Sequence, residues 1–215
     1  MAAVELAMKP AGRFIALEGG EGAGKSTQAR LLAEALRERG VDCVLTREPG
    51  GTPGAEAIRE LLLHPPGSGW DAQAEALLFA AARADHVARL IRPALAAGRW
   101  VVCDRFLDSS RAYQGEAGAL GDGEVRALHA IGSGGLLPDL TIVIAAADAG
   151  VAERLRARDG DRADAIGGRD ASYHARVNAA FRAFAAAEPE RFALVEGDGS
   201  IEEVHARILS VIAVL

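Results

Sequence analysis

Residues Gly19 to Ser26 read Gly-Gly-Glu-Gly-Ala-Gly-Lys-Ser, which fits the pattern G-x-x-x-x-G-K-[ST]. Each residue type has a chemical task there. Glycines let backbone N–H groups converge on phosphate oxygens, and a following helix points its positive end at the same anion. A lysine placed like Lys25 reaches the β- and γ-phosphates, while a hydroxyl placed like Ser26 ligates Mg²⁺. Gly19, Gly20, Glu21, Gly22, Ala23, Gly24, Lys25, Ser26 and Thr27 are therefore candidate contacts to a nucleoside triphosphate. A second candidate is Asp104, where the apolar run Trp100-Val101-Val102-Cys103 ends in a carboxylate followed by Arg105. Such an aspartate holds Mg²⁺ through water or orients a neighbouring arginine.

The elements that must position these groups are visible as alternating patterns. Apolar, β-branched runs at Phe14 to Leu17, Cys43 to Thr46, Trp100 to Cys103, Leu140 to Ala145 and Phe192 to Val195 predict strands. Helical patterns cover Lys25 to Arg39, Pro53 to Leu63, Trp70 to Ala97, Asp122 to Ile131, Asp148 to Arg158, Ala171 to Ala187 and Ile201 to about Ile212. Pro93 predicts a kink or break near Ile91. Continuous apolar strands separated by helices indicate a parallel sheet covered on both faces. The expected fold is α/β: a P-loop NTPase three-layer sandwich with a five-stranded parallel sheet, its ligands at the carboxyl ends of the strands.

Further motifs follow in order along the chain. They are Thr46-Arg47-Glu48-Pro49-Gly50-Gly51, Leu78-Phe79-Ala80-Ala81-Ala82-Arg83, Asp104-Arg105-Phe106, Asp108-Ser109-Ser110, Tyr113-Gln114-Gly115 and Pro138-Asp139-Leu140-Thr141. With Phe14-Ile15-Ala16-Leu17-Glu18-Gly19 ahead of the glycine-rich loop, they resemble the bacterial thymidylate kinases over nearly the whole chain. The resemblance implies ATP as phosphoryl donor, Mg²⁺, and dTMP as acceptor in dTTP synthesis. It implies that Phe79 stacks on thymine and that Arg83, four residues on and on the same helix face, reaches a base carbonyl. Ser110 would sit near the base edge and Tyr113 by the sugar, with Pro49 and Gln114 also in the acceptor site. Arg47 and Arg105 would hold the acceptor phosphate, since guanidinium forks match phosphate oxygens. Glu18 would approach the sugar hydroxyl or the metal.

The loop's variable positions carry no arginine, and such family members supply a catalytic arginine from a lid. Arg154, Arg156, Arg158 and Arg162 fill that region, with Arg158 the first choice and the lid at about 154–169. Two departures are present: where the family's lid usually carries Asp-Arg followed by an apolar residue and an acid, this chain reads Asp161-Arg162-Ala163-Asp164, and Asn178 in Tyr173-His174-Ala175-Arg176-Val177-Asn178 replaces a second basic residue.

Composition bounds the rest. The chain has 215 residues, 50% hydrophobic and 25% charged, which suits one domain spanning 1–215. A net charge of -6 gives no general attraction to nucleic acid or an anionic membrane, so a bound anion needs a local positive site. No run approaches about 18 apolar residues, and Met1 to Arg13 lacks a signal-peptide pattern, so the expected location is cytoplasmic. Cys43 and Cys103 read as buried strand thiols, and the five histidines as structural or surface residues. A guanine-reading switch would need Asn-Lys-x-Asp, which a chain whose only lysines are Lys9 and Lys25 does not contain. A kinase for another nucleotide or nucleoside, and an ATP-sensing module without catalysis, remain as alternatives. Family resemblance adds the expectation of a homodimer.

Overall fold

The computed structural model describes residues 12–145 and 168–213. The predicted helix at Asp148 to Arg158 and nearly all of the lid, Arg158 included, lie outside them.

Five parallel strands form one sheet: β1 (Phe14–Glu18), β2 (Cys43–Arg47), β3 (Trp100–Asp104), β4 (Leu140–Ala145) and β5 (Phe192–Glu196), in the order β2-β3-β1-β4-β5. β1, at the centre, is buried at every residue, and its side chains alternate between two cores. Ile15 and Leu17 pack with α1 (Lys25–Glu38) and α8 (Ile201–Ile212) through Leu32, Leu36, Ile208 and Ile212. Phe14 and Ala16 face Val87, Ile91, Phe106 and Val125 on the opposite side. Helices therefore cover both faces. The edge strands differ from the sequence expectation of continuous burial, because β2 and β5 each leave residues partly exposed.

The remaining helices are α2 (Pro53–Leu63), α3 (Ala72–His86), α4 (Arg92–Ala96), α5 (Leu107–Ser110), α6 (Asp122–Ser133) and α7 (Ala171–Ala187). α3 runs into a π-helical turn at Val87–Ile91 before Pro93 enters the first turn of α4. The wide turn accommodates the proline's missing N–H, so the expected break appears as a change of pitch. Side chains of Thr52, Asp71, Asp170 and Ser200 cap α2, α3, α7 and α8. α1 has no such cap: Gly24, with φ 89°, leads directly into Lys25, and no acidic residue occupies the first turn. Its N-terminal N–H groups are left for another acceptor.

One segment had no signal as an element in the sequence. Leu107–Ser110 forms a helical turn that continues as a π-helix through Arg111–Ala117. Buried charge fixes it. Asp108 is fully buried and accepts from Arg111 at 2.8 Å, Arg191 at 2.8 and 3.0 Å, and Thr141 at 3.1 Å. Arg111 also donates to Asp122 and Glu188, and its guanidinium stacks 4.0 Å from the Phe184 ring centre. The segment is thus tied to β4, α6 and the approach to β5.

Burial alone would raise the Asp108 pKa, but the bonds to Arg191 and Arg111 reverse this and hold it below the usual value. Its stabilisation is therefore present above the unfolded carboxyl pKa of about 3.9 and is lost as pH falls through the lower folded value. Asp108→Ala is expected to cost about 3–5 kcal/mol in urea unfolding at pH 7, because two buried guanidinium groups lose their shared partner. The gap from the unsubstituted protein should shrink below about pH 4.

Candidate active site

The parallel register brings the chemistry together at one edge. Leu17 of β1 is level with Asp104 of β3, which is level with Arg47 of β2. The chain continues from these strand ends as a loop over the sheet: Arg105 N–H donates to Leu17 C=O at 2.9 Å, and Glu48 N–H to Asp104 C=O at 2.9 Å. All three strands run one residue past the predicted apolar stretch, and the added residues are Glu18, Arg47 and Asp104.

A cavity of about 590 Å³ opens above this edge. Its lining includes Glu21, Gly22, Gly24, Lys25, Ser26 and Thr27 of the glycine-rich loop together with Pro49, Phe79, Arg83, Ser110, Tyr113 and Gln114, with Arg47, Asp104 and Arg105 also present; Tyr113 Oη meets Glu21 Oε1 at 3.3 Å. Of the site residues read from the sequence and described here, Glu18, Gly19, Gly20 and Ala23 fall outside the lining. Gly19 is pressed against the end of β4, where a Cβ would lie 2.5 Å from the Ile144 carbonyl oxygen, so it shapes the loop from below.

Lys25 is nearly buried, and Nζ curls back to donate to the Gly20 carbonyl at 2.6 Å. Burial, with Arg105 nearby, lowers its pKa to about 8. Ser26 Oγ donates to Asp104 Oδ2 at 2.5 Å, while Asp104 Oδ1 is buried without a hydrogen-bond partner among the described residues. An orphaned carboxylate oxygen beside a hydroxyl suits a hard cation. Among the described residues no group of three His, Cys, Asp or Glu side chains could hold a metal. That donor set fits Mg²⁺, which keeps much of its water and takes its other ligands from phosphates.

Arg105 sits at φ 68°, in the left-handed region, and this aims its guanidinium across the cavity floor. It donates to Glu21 at 2.5 Å, to Ser109 Oγ at 3.0 Å and to Tyr113 Oη at 3.3 Å, and lies 5.0 Å from the Tyr113 ring centre. Burial would lower its pKa, but the neighbouring Tyr113, Glu21, Asp104 and Glu18 raise it above the ordinary value. Arg105 is cationic at any working pH. Arg47 is more open and pairs with Glu56 at 3.1 Å. Glu56 also accepts from Gly51 N–H, which together with Arg47 holds its pKa down despite some desolvation.

Glu18 has a different place from the one expected. It is fully buried, and its carboxylate accepts from Phe106 N–H at 2.8 Å, Ser109 N–H at 3.0 Å and Ser109 Oγ at 2.6 Å. Burial and the nearby Asp108 push its pKa up to about 7. With its oxygens engaged by the loop after β3, Glu18 holds the segment that carries Arg105 and Ser110, and does not line the cavity.

Arg83 is almost wholly buried; its Nε donates to Glu48 at 2.7 Å and Nη2 to Ser110 Oγ at 2.9 Å. Gln114 donates to Glu75 at 2.9 Å, and Glu75 also accepts from Arg169 at 2.5 Å. Glu48, Arg59, Phe106 and Ser109 line the cavity without having been singled out from the sequence. Glu48 was visible within the Thr46–Gly51 motif, but nothing in the residue type indicated a partner 35 positions away.

Comparison with known proteins gives a consistent result. A family model described as thymidylate kinase matches residues 17–208. A thymidylate kinase of Rhizorhabdus wittichii is 58% identical over 94% of this chain and 97% of its own length. One from Nitrobacter winogradskyi is 46% identical over 92% of this chain and 86% of its own. The crystal structure of thymidylate kinase from Ehrlichia chaffeensis superposes with a TM-score of 0.77 at 32% identity, covering 94% of this chain and all of that one.

The left-handed backbone at Arg105 gives a separable expectation. Arg105→Ala and Arg105→Gly remove the same guanidinium, yet only alanine meets the left-handed steric penalty. The glycine variant should be more stable to urea by about 1 kcal/mol.

Proposed function

This chain belongs to the thymidylate kinase family, and from that premise we propose that it transfers the terminal phosphoryl group of ATP to dTMP with Mg²⁺. One observation carries the reading: a single cavity is lined both by the glycine-rich loop and by Phe79, Arg83 and Ser110. Two nucleotides entering from opposite ends would meet over Arg105 and Asp104.

The acceptor phosphate is already anionic, so its oxygen attacks the γ-phosphorus without a strong base while the bond to ADP breaks. What the protein must supply is alignment and positive charge. Arg105 and Arg47 hold the acceptor phosphate. Lys25 leaves the Gly20 carbonyl for the donor phosphates, and the uncapped N–H groups of α1 add to its pull. Ser26 and Asp104 are the residues that would hold Mg²⁺, which when bound spreads the phosphate charge. Phe79 stacks on the base, Arg83 donates to a base carbonyl, and Tyr113 closes the sugar side, with Pro49 and Gln114 completing the wall. The catalytic lid arginine, assigned to Arg158, and the lid at about 154–169 remain part of this proposal.

We assign the enzyme to the cytoplasm, where its two buried free thiols, Cys43 and Cys103, suit a reducing compartment. We also propose a homodimer built on α3, which packs between α2 and α6. Leu61, Leu77 and Ile131, one from each of these helices, are 46%, 56% and 85% exposed. Light scattering should return twice the 22.3 kDa chain mass, and a monomer that resists association at micromolar concentration would reject the dimer.

The activity is tested by coupled ADP release with dTMP, dUMP, dCMP and dGMP as acceptors. dTMP should be turned over most efficiently; preference for another acceptor would favour the alternative nucleotide kinase. Phe79→Ala should raise the KM for dTMP by roughly tenfold or more, in line with about 1–3 kcal/mol for base–aromatic stacking, and change kcat less.

A further inference from the structure

Behind Arg83 lies a chain of buried polar groups that never reaches the cavity at its far end. Glu48 accepts from Arg83 Nε through Oε2 at 2.7 Å and meets His86 Nδ1 through Oε1 at 3.0 Å. His86 Nε2 lies 2.8 Å from Thr46 Oγ1. Thr46, Glu48, Arg83 and His86 are 8%, 5%, 3% and 0% exposed. Gly51 seals the group from above: a Cβ there would lie 2.5 Å from Thr46 Oγ1 and 2.6 Å from His86 Nε2, and its φ is 86°.

The donor and acceptor types fix the direction of the bonds. A carboxylate only accepts, so the His86 proton facing Glu48 is on Nδ1. In the neutral ring with that proton, Nε2 accepts from the Thr46 hydroxyl. Glu48 is then held at both oxygens, one by His86 and one by Arg83. On the other side Arg83 Nη2 donates to Ser110 Oγ at 2.9 Å and to the Phe106 carbonyl at 3.2 Å. Three of the five guanidinium N–H groups are engaged this way, and the two on Nη1 have no partner among the described residues.

We infer that His86, steadied by Thr46, is a positioning residue for base recognition: it locks Glu48 and thereby holds the remaining donor face of Arg83 toward the acceptor base. The inference rests on the dTMP kinase reading above. Its consequence is selectivity. Two fixed N–H donors complement a carbonyl on a pyrimidine ring and oppose the amino group that cytosine carries there. Removing the His86 anchor lets the carboxylate turn, and the fork follows it. Catalytic charge on the phosphates is untouched, because neither His86 nor Thr46 lines the main cavity.

The test is steady-state kinetics with dTMP and dCMP on the wild-type protein and four variants. His86→Leu should raise the KM for dTMP about tenfold with kcat within about threefold, and should lower the preference for dTMP over dCMP by a similar factor, as expected for one lost bond to a charged group. His86→Asn, whose amide N–H replaces Nδ1–H, should recover most of both quantities, whereas His86→Gln, with its polar end further out, should not. Thr46→Val removes only the outer hydroxyl and should raise the KM two- to threefold, which keeps the proposal falsifiable if His86→Leu does not fold. If the folded variants keep the wild-type KM and preference and change only their melting temperature, the network is packing alone and the proposal is overturned. A wild-type protein that ignores dTMP would instead reject the kinase reading on which it stands.

Discussion

Cations crowded around a partly dry cavity repel one another unless something answers their charge, and here the protein answers it from within. Lys25 is nearly buried and Arg105 partly so, and they are close enough that Arg105 contributes, after burial, to lowering the Lys25 pKa to about 8. Glu21 takes up Arg105 at 2.5 Å, and the Gly20 carbonyl takes up Lys25 at 2.6 Å. These internal partners are weaker acceptors than a polyphosphate held by several donors at once. Replacing them is therefore downhill, and the groups that must move are a lysine side chain and a loop glutamate. The backbone that carries them stays where glycine geometry and the sheet have put it.

That rigidity comes from a second layer of charge beneath the first. Glu18 is closed off by Phe106 and Ser109, and Asp108 by Arg111, Arg191 and Thr141. Glu18 grips the segment after β3 from the sheet side, and Asp108, within that segment, ties it to Thr141 of β4 and to Arg191 beyond α7. Without such anchors, Phe106 to Gln114 would be a loop with its polar backbone half buried. With them it becomes a helical turn and a π-helix that present Ser109, Ser110, Tyr113 and Gln114 along one wall. The parallel register contributes in the same way, since level strand ends set Arg47 beside Asp104, with Glu18 one residue beyond the partner Leu17, before any side-chain contact is made.

This division explains what the residue order could and could not disclose. Strands were visible as apolar runs, but each of the three at the site was read one residue short, because the run stops where the functional side chain begins. The loop from Gly19 to Thr27 was legible because its geometry demands particular residue types at fixed spacing. Leu107–Ala117 was not, since Asp-Ser-Ser-Arg-Ala-Tyr-Gln-Gly has no apolar period and owes its shape to partners 33 to 83 residues away. Glu18 was expected near sugar or metal for a related reason: a carboxylate at a strand end looks the same whether it faces the cavity or turns inward under the next loop. His86 read as a structural histidine, and its burial agrees; what the sequence hid was the company it keeps.

The two ends of the cavity consequently work under different physical demands. At the phosphate end, charge must be available yet compensated until the nucleotides arrive, which favours groups with exchangeable partners such as Lys25 and Glu21. At the proposed base site, a neutral ring would be recognised by shape and a few hydrogen bonds, and discrimination would depend on donors that cannot turn to suit the wrong base. Arg83 has that character: its charge is matched by Glu48, its plane is fixed by Ser110 and the Phe106 carbonyl, and its guanidinium carbon lies 5.4 Å from the Phe106 ring centre. On the proposed reading, a mobile arginine would serve either a carbonyl or, through a water bridge, an amine, and selectivity would follow from how little that side chain can move.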